Sequence, residues 1–133
     1  MTHSLDLDVL IWQKRCYNRT MFEKKIEEGV LYLTFKPGDL DHLISAVFAN
    51  EVKDLISEQN AMLIIDLCQT AYIDSSGVAS LIGILHKIRR YDGKMALLTD
   101  QDQHWSIFEI AGLEEILPIH KTKEDAFRSV LGA

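Results

Sequence analysis

The chain has 133 residues, 47% of them hydrophobic and 26% charged, with a formal net charge of −6. That balance predicts one globular domain with its own core and argues against direct nucleic-acid binding, which needs a basic face to neutralise phosphates. Two cysteines, Cys16 and Cys68, are too few for a disulfide framework, and no apolar run approaches the ~20 residues of a membrane helix.

Residues 1–20 read as an arm distinct from a domain at 21–133. Within the arm, Asp6 and Asp8 precede the apolar run Val9 to Trp12, and Lys14, Arg15 and Arg19 follow. The run is too short for a signal-peptide core and acidic residues stand where a basic flank belongs, so a cytoplasmic protein without membrane insertion is expected. The first five residues are expected to be disordered. The rest of the arm suits either an amphipathic segment packed on the domain or a strand added to a sheet edge.

From Met21 the periodicities are clear. Met21 to Ile26 and Val30 to Phe35 flank Glu27-Glu28-Gly29, which predicts two strands joined by a tight turn. Leu31, Leu33 and Phe35 alternate with Tyr32 and Thr34, as in a half-buried strand. Pro37-Gly38 breaks the pattern. Leu40, Leu43, Ile44, Val47, Phe48, Val52, Leu55 and Ile56 then recur at helical spacing, predicting a helix from Asp41 to Glu58 with Asp39 and Asp41 at its positive end.

Ala61 to Leu67 is nearly all apolar, as expected of a strand covered on both faces. A second helix is predicted from Ser75 or Ser76 to about Tyr91, with Val78, Leu81, Ile82, Leu85 and Ile88 as its buried stripe. Lys87, Arg89 and Arg90 occupy its last turn, and Asp92-Gly93 stops it. Lys94 to Thr99 reads as a strand, Asp102 to Ala111 as a helix closed by Gly112, and Lys123 to Leu131 as a final helix. Between them Ile116 to Ile119 reads as a short edge strand, because Pro118 has no ladder donor. The alternation predicts an α/β fold: a mostly parallel sheet with an antiparallel edge hairpin and packed helices.

Enzyme signatures are missing. The glycines of the second helix lack the Gly-Lys-Ser/Thr ending of a phosphate-binding loop, and Ser75-Ser76 is not set in Gly-x-Ser-x-Gly. His3, His42, His86, His104 and His120 stand singly, without metal-ligand spacing. No catalytic residue, metal or cofactor is expected. What stands out is Tyr72-Ile73-Asp74-Ser75-Ser76-Gly77, between an apolar strand and a helix. One side chain suffices to cap a helix, yet three candidates occur in a row. A hydroxyl here would lie at the carboxyl edge of a parallel sheet, where binding sites collect. A phosphoryl group on it would add nearly two negative charges that the helix start tolerates and a docked partner would not. Ser76, Ala79, Ser80 and Gly83 make one side of the helix smooth, suiting either an approaching partner or close packing of the helix on its own sheet.

Three segments carry a family resemblance: Gly38-Asp39-Leu40-Asp41, Leu63 to Leu67, and Tyr72 to Val78. With these the chain resembles the STAS domain family, and within it the bacterial anti-sigma factor antagonists. The resemblance implies a protein that binds an anti-sigma factor, itself a serine kinase, and so frees a sigma factor. It implies Ser75 as phosphoacceptor, with a PP2C-type phosphatase reversing the mark. Asp74, Ser76 and Gly77 would shape the loop, Asp39 and Asp41 would face the kinase, and Gly83 and Ile84 would belong to a docking helix. The arm departs from the family pattern and could bind another protein, mediate dimerisation or cover an edge strand. The alternative reading is a STAS subunit of another assembly, a signalling scaffold or a lipid-transport complex, in which Ser75 is never modified.

Overall fold

A computed structural model describes residues 21–36 and 38–132; the predicted arm at 1–20 lies outside the described residues. Glu28 and Gly29 both take left-handed backbone, φ 55° and 78°, the geometry a two-residue hairpin turn requires. The turn joins β1 (Phe22–Glu27) to β2 (Val30–Phe35), antiparallel in register from Phe22↔Phe35 to Glu27↔Val30. β4 (Met62–Asp66) lies parallel to β2, β6 (Lys94–Leu98) parallel to β4, and β7 (Ile119–His120) parallel to β6. The sheet order is therefore β1-β2-β4-β6-β7, mostly parallel with one antiparallel edge.

Strand alternation divides the core in two. Leu31, Leu33, Leu63, Ile65, Met95 and Leu97 pack with residues of three helices, α1 (Ser45–Leu55), α2 (Ser75–Arg90) and α3 (Asp102–Ala111), among them Phe48, Leu81 and Phe108. Val30, Tyr32, Ile64, Ala96 and Leu98 pack with Ala126, Phe127 and Val130 of α4 (Lys123–Leu131). Among the described residues no helix is long and apolar enough to cross a membrane.

Two predicted elements are corrected and two strands are added. The first helix spans Ser45–Leu55, not Asp41 to Glu58. Asp41 folds the chain into a turn instead, its Oδ1 accepting from Leu43 N at 3.0 Å and its carbonyl from Ser45 N at 2.8 Å. Ile56 is already extended, and Ser57 and Asn60 bridge to each other. In place of a strand at Ile116 to Ile119, Leu113–Glu115 forms a 3-10 turn and the last strand is Ile119–His120. Pro118 sits just before that strand and contributes only its carbonyl, accepting from Leu97 N at 2.9 Å. Finally, two short strands that no periodicity announced, β3 (Gly38–Leu40) and β5 (Thr70–Ile73), pair in parallel as a separate sheet.

Candidate functional site

The small β3–β5 sheet builds the site, because its strands set side by side two loops that lie far apart in sequence. Asp39 is in register with Tyr72, and Leu40 with Ile73. Asp74 then joins the loops. Its backbone N donates to Leu40 O at 3.3 Å, and its Oδ2 accepts from His42 N at 3.1 Å. Its Oδ1 accepts from Gly77 N at 2.9 Å, the N-cap bond of α2. One carboxylate thus caps the helix that begins at Ser75 and anchors the loop after β3. Asp74→Ala removes both bonds; we expect a loss of about 1–2 kcal/mol, read as a lower urea midpoint with an unchanged slope.

Gly77 is buried and closely surrounded. A Cβ there would fall on Leu40 O and lie 2.9 Å from Ile73 Cγ2, so only glycine lets α2 start so near β3. Ser80 is buried behind it, its Oγ donating to Gly77 O at 2.6 Å.

Ser75 is exposed, and its hydroxyl has no hydrogen-bond partner among the described residues. Asp74 does the capping, which leaves Ser75 Oγ uncommitted among the described residues, on an exposed side chain. The two joined loops also expose Asp39 and His42 and two large apolar side chains, Leu43 at 72% and Tyr72 at 57% exposure. The surface is acidic and apolar at once.

Several other polar groups of the fold are bonded internally, although Thr70 Oγ1, His104 Nε2 and His120 Nε2 are buried without a partner among the described residues. Tyr32 Oη donates to Asp66 Oδ2 at 2.6 Å, and Asp66 Oδ1 accepts from Cys68 N at 2.9 Å. Burial, reinforced by Asp66, pushes the Cys68 thiol up to about 12 and the Tyr32 phenol well above its usual range. Neither is a nucleophile near neutrality. His104 is buried with Nδ1 2.7 Å from Thr99 Oγ1, and burial lowers its pKa, favouring the neutral ring. Among the described residues no group of three or more His, Cys, Asp or Glu is placed to hold a metal ion.

A model of the STAS domain matches residues 21–126. The chain belongs to the STAS domain family. An anti-sigma-B factor antagonist of Listeria monocytogenes is 29% identical over 98 residues, covering 65% of this chain and 86% of the relative. A crystal structure described as an anti-sigma factor antagonist of Thermotoga maritima aligns with a TM-score of 0.77 at 22% identity, over 86% of this chain and 98% of that one. The anti-sigma factor antagonist SpoIIAA in its unphosphorylated form aligns with a TM-score of 0.70 at 21% identity, over 84% and 97%. The phosphorylated form of SpoIIAA, a Bacillus cell fate determinant, gives 0.62 at 18% identity, over 80% and 96%. The structural likenesses show a shared fold.

In this STAS domain Asp39, Asp41, Asp74, Ser75, Ser76 and Gly77 come together where β3 and β5 end. Gly83 and Ile84 do not join them. Ile84 is wholly buried in the core, which corrects its placement on a docking face. Gly83 looks on to α1: a Cβ there would lie 3.2 Å from Lys53 Nζ. The smooth side of the helix is split, with Ala79 exposed and Ser80 buried. Leu43 and Tyr72 escaped sequence reasoning as surface residues. Leu43 fits the helical stripe and is exposed only because the helix starts later. The glutamines that fasten β5, Gln101 and Gln103, carry no sequence signal, since their partners are backbone carbonyls of that strand and of the loop before it, about thirty residues away.

Proposed function

We propose that this protein is an anti-sigma factor antagonist switched by phosphorylation of Ser75. In its unmodified form it binds an anti-sigma factor that is also a serine kinase, and so frees a sigma factor. The kinase transfers a phosphoryl group from ATP to Ser75 Oγ, and a PP2C-type phosphatase removes it. The protein acts by binding in the cytoplasm, without catalysing a reaction and without touching nucleic acid.

One observation carries the reading: Ser75 is exposed and its hydroxyl is unbonded among the described residues, because Asp74 performs the capping. A hydroxyl needed for the fold would be a poor switch, since modifying it would unfold the domain. This one is free to react. The new dianion would sit at the start of a 16-residue helix, whose dipole and terminal N–H groups favour negative charge. The fold therefore tolerates it. A partner closing over Leu43, Tyr72 and Asp39 would instead have to desolvate the phosphate beside Asp74. Solved SpoIIAA structures in both forms, on the same fold, support that tolerance.

The test is incubation with the cognate kinase and ATP, followed by mapping of the product by mass spectrometry. One phosphate on Ser75 is expected, and none on Ser75→Ala. Labelling that persists in Ser75→Ala would defeat the assignment.

A further inference from the structure

β5 is the strand that delivers Ser75, and among the described residues it pairs with a single strand, the three-residue β3. Even that pairing is irregular, with a register shift between Gly38 and Asp39. A strand so thinly held should open readily by itself. Side chains supply what backbone pairing does not. Gln101 Nε2 donates to Cys68 O at 2.6 Å and to Thr70 O at 2.8 Å. Gln103 Nε2 donates to Ala71 O at 3.2 Å and to Gln101 Oε1 at 2.8 Å.

The two amides form one connected unit. Gln101 uses one donor on β5 at Thr70, the other on Cys68 in the loop before it, and its acceptor on Gln103, so its orientation is fixed by its partners. The unit is also rooted in the interior. Gln101 N donates to Thr99 Oγ1 at 3.2 Å, and Thr99 Oγ1 is bonded to the ring of His104, which is 1% exposed. The start of α3 is thereby tied to the strand that ends at the phosphoacceptor.

We infer that Gln101 and Gln103 are positioning residues for phosphoryl transfer to Ser75. They hold β5 so that the hydroxyl at its end is presented to the kinase in one geometry. The inference rests on the proposed role of Ser75. In-line transfer demands alignment of the attacking oxygen, and small misplacements cost rate steeply. Freed from the glutamines, β5 would visit conformations in which Ser75 Oγ is misaligned. The apolar and acidic residues around β3 would dock as before.

Phosphorylation kinetics of Gln101→Met and Gln101→Glu against the wild type provide the test. Both variants keep the length of the side chain and, at neutral pH, lose its N–H donors. We expect kcat for Ser75 labelling to fall about tenfold in both, with KM within about twofold. A residue that merely fills space would not make the two variants alike. Amide hydrogen exchange at Ile73 and Asp74 should quicken by about tenfold, while amides of β4 and β6 keep wild-type rates. Variants with wild-type kcat overturn the inference, as does exchange that quickens equally in β4 and β6. A wild-type chain that takes no phosphate at Ser75 overturns both this inference and the proposed function. A labelled wild type with equally fast variants overturns the inference alone.

Discussion

Ser75→Asp should leave the thermal transition where it is in the wild type while weakening binding to the proposed kinase partner by about a hundredfold. The two halves have different physical origins. On the folding side, the Ser75 side chain makes no contact whose loss would matter: it is exposed, and Asp74 already bonds Gly77 N. A carboxylate at the first position of a helix interacts favourably with the dipole by about 0.3–1 kcal/mol. The nearby Asp74 opposes part of that gain, so the net change in stability is close to zero. On the binding side, a partner seated over Leu43 and Tyr72 must strip water from the new carboxylate. It gains no counter-charge in return. A penalty of ~3 kcal/mol corresponds to about a hundredfold in Kd, and phosphoserine, larger and nearly doubly charged, should exceed it. Calorimetric titration alongside thermal unfolding separates the outcomes. An early melt would make Ser75 a structural residue, and undiminished affinity would remove the switch. Ser75→Ala should bind as the wild type does.

The parts of this fold that could be read from the sequence are those whose determinants are local. Glu28-Gly29 supports left-handed backbone in a hairpin turn, and Ala61 to Leu67 is too apolar to lie anywhere but a sheet covered on both faces. Gly112 ends α3 with φ 69°, the left-handed cap that glycine supplies. The misses are non-local. β3 and β5 are three and four residues long, too short for any periodicity, and each exists because the other is there to pair with it. Leu43 obeys the helical stripe but is left outside the helix by Asp41, whose side chain competes for the backbone in a turn. Ile84, which the family resemblance places on a docking helix, is carried round by the helical period into the core with Leu81 and Ile88. Within the site, the helix start at Asp74-Ser75-Ser76 was legible, but not which of the three side chains caps it. The surface around them was not, because it is assembled from two chain segments that only tertiary pairing brings together.

Gly77→Ala tests that assembly from the inside, and its sign is the informative quantity. In an isolated helix, alanine is favoured over glycine by about 1 kcal/mol, so local propensity predicts a stabilised protein. The structure predicts the reverse. The added methyl would overlap Leu40 O and lie 2.9 Å from Ile73 Cγ2 and 3.1 Å from Leu40 Cγ. Leu40 cannot yield cheaply: its side chain is fully buried, and its carbonyl accepts from Asp74 N. Relief requires β3 to move off the start of α2, which loosens the Asp74 bonds as well. Overpacking of this kind costs about 1–3 kcal/mol and the lost hydrogen bond about 1 kcal/mol. After the gain in helix propensity, a net loss of about 2 kcal/mol remains. Gly83→Ala is the comparison, on the same helix. Among the described residues its methyl would meet only Lys53 Nζ and Cε, at 3.2 and 3.5 Å. A flexible lysine end can swing away, so there the helix preference should prevail. The two variants should therefore shift the denaturant midpoint in opposite directions, Gly77→Ala downward and Gly83→Ala level or upward. Because Asp39 rides on β3, Gly77→Ala should also weaken kinase binding at temperatures where the domain is still folded. Equal or inverted shifts would mean that α2 does not start against Leu40, and the surface presenting Ser75 would then have to be built in some other way.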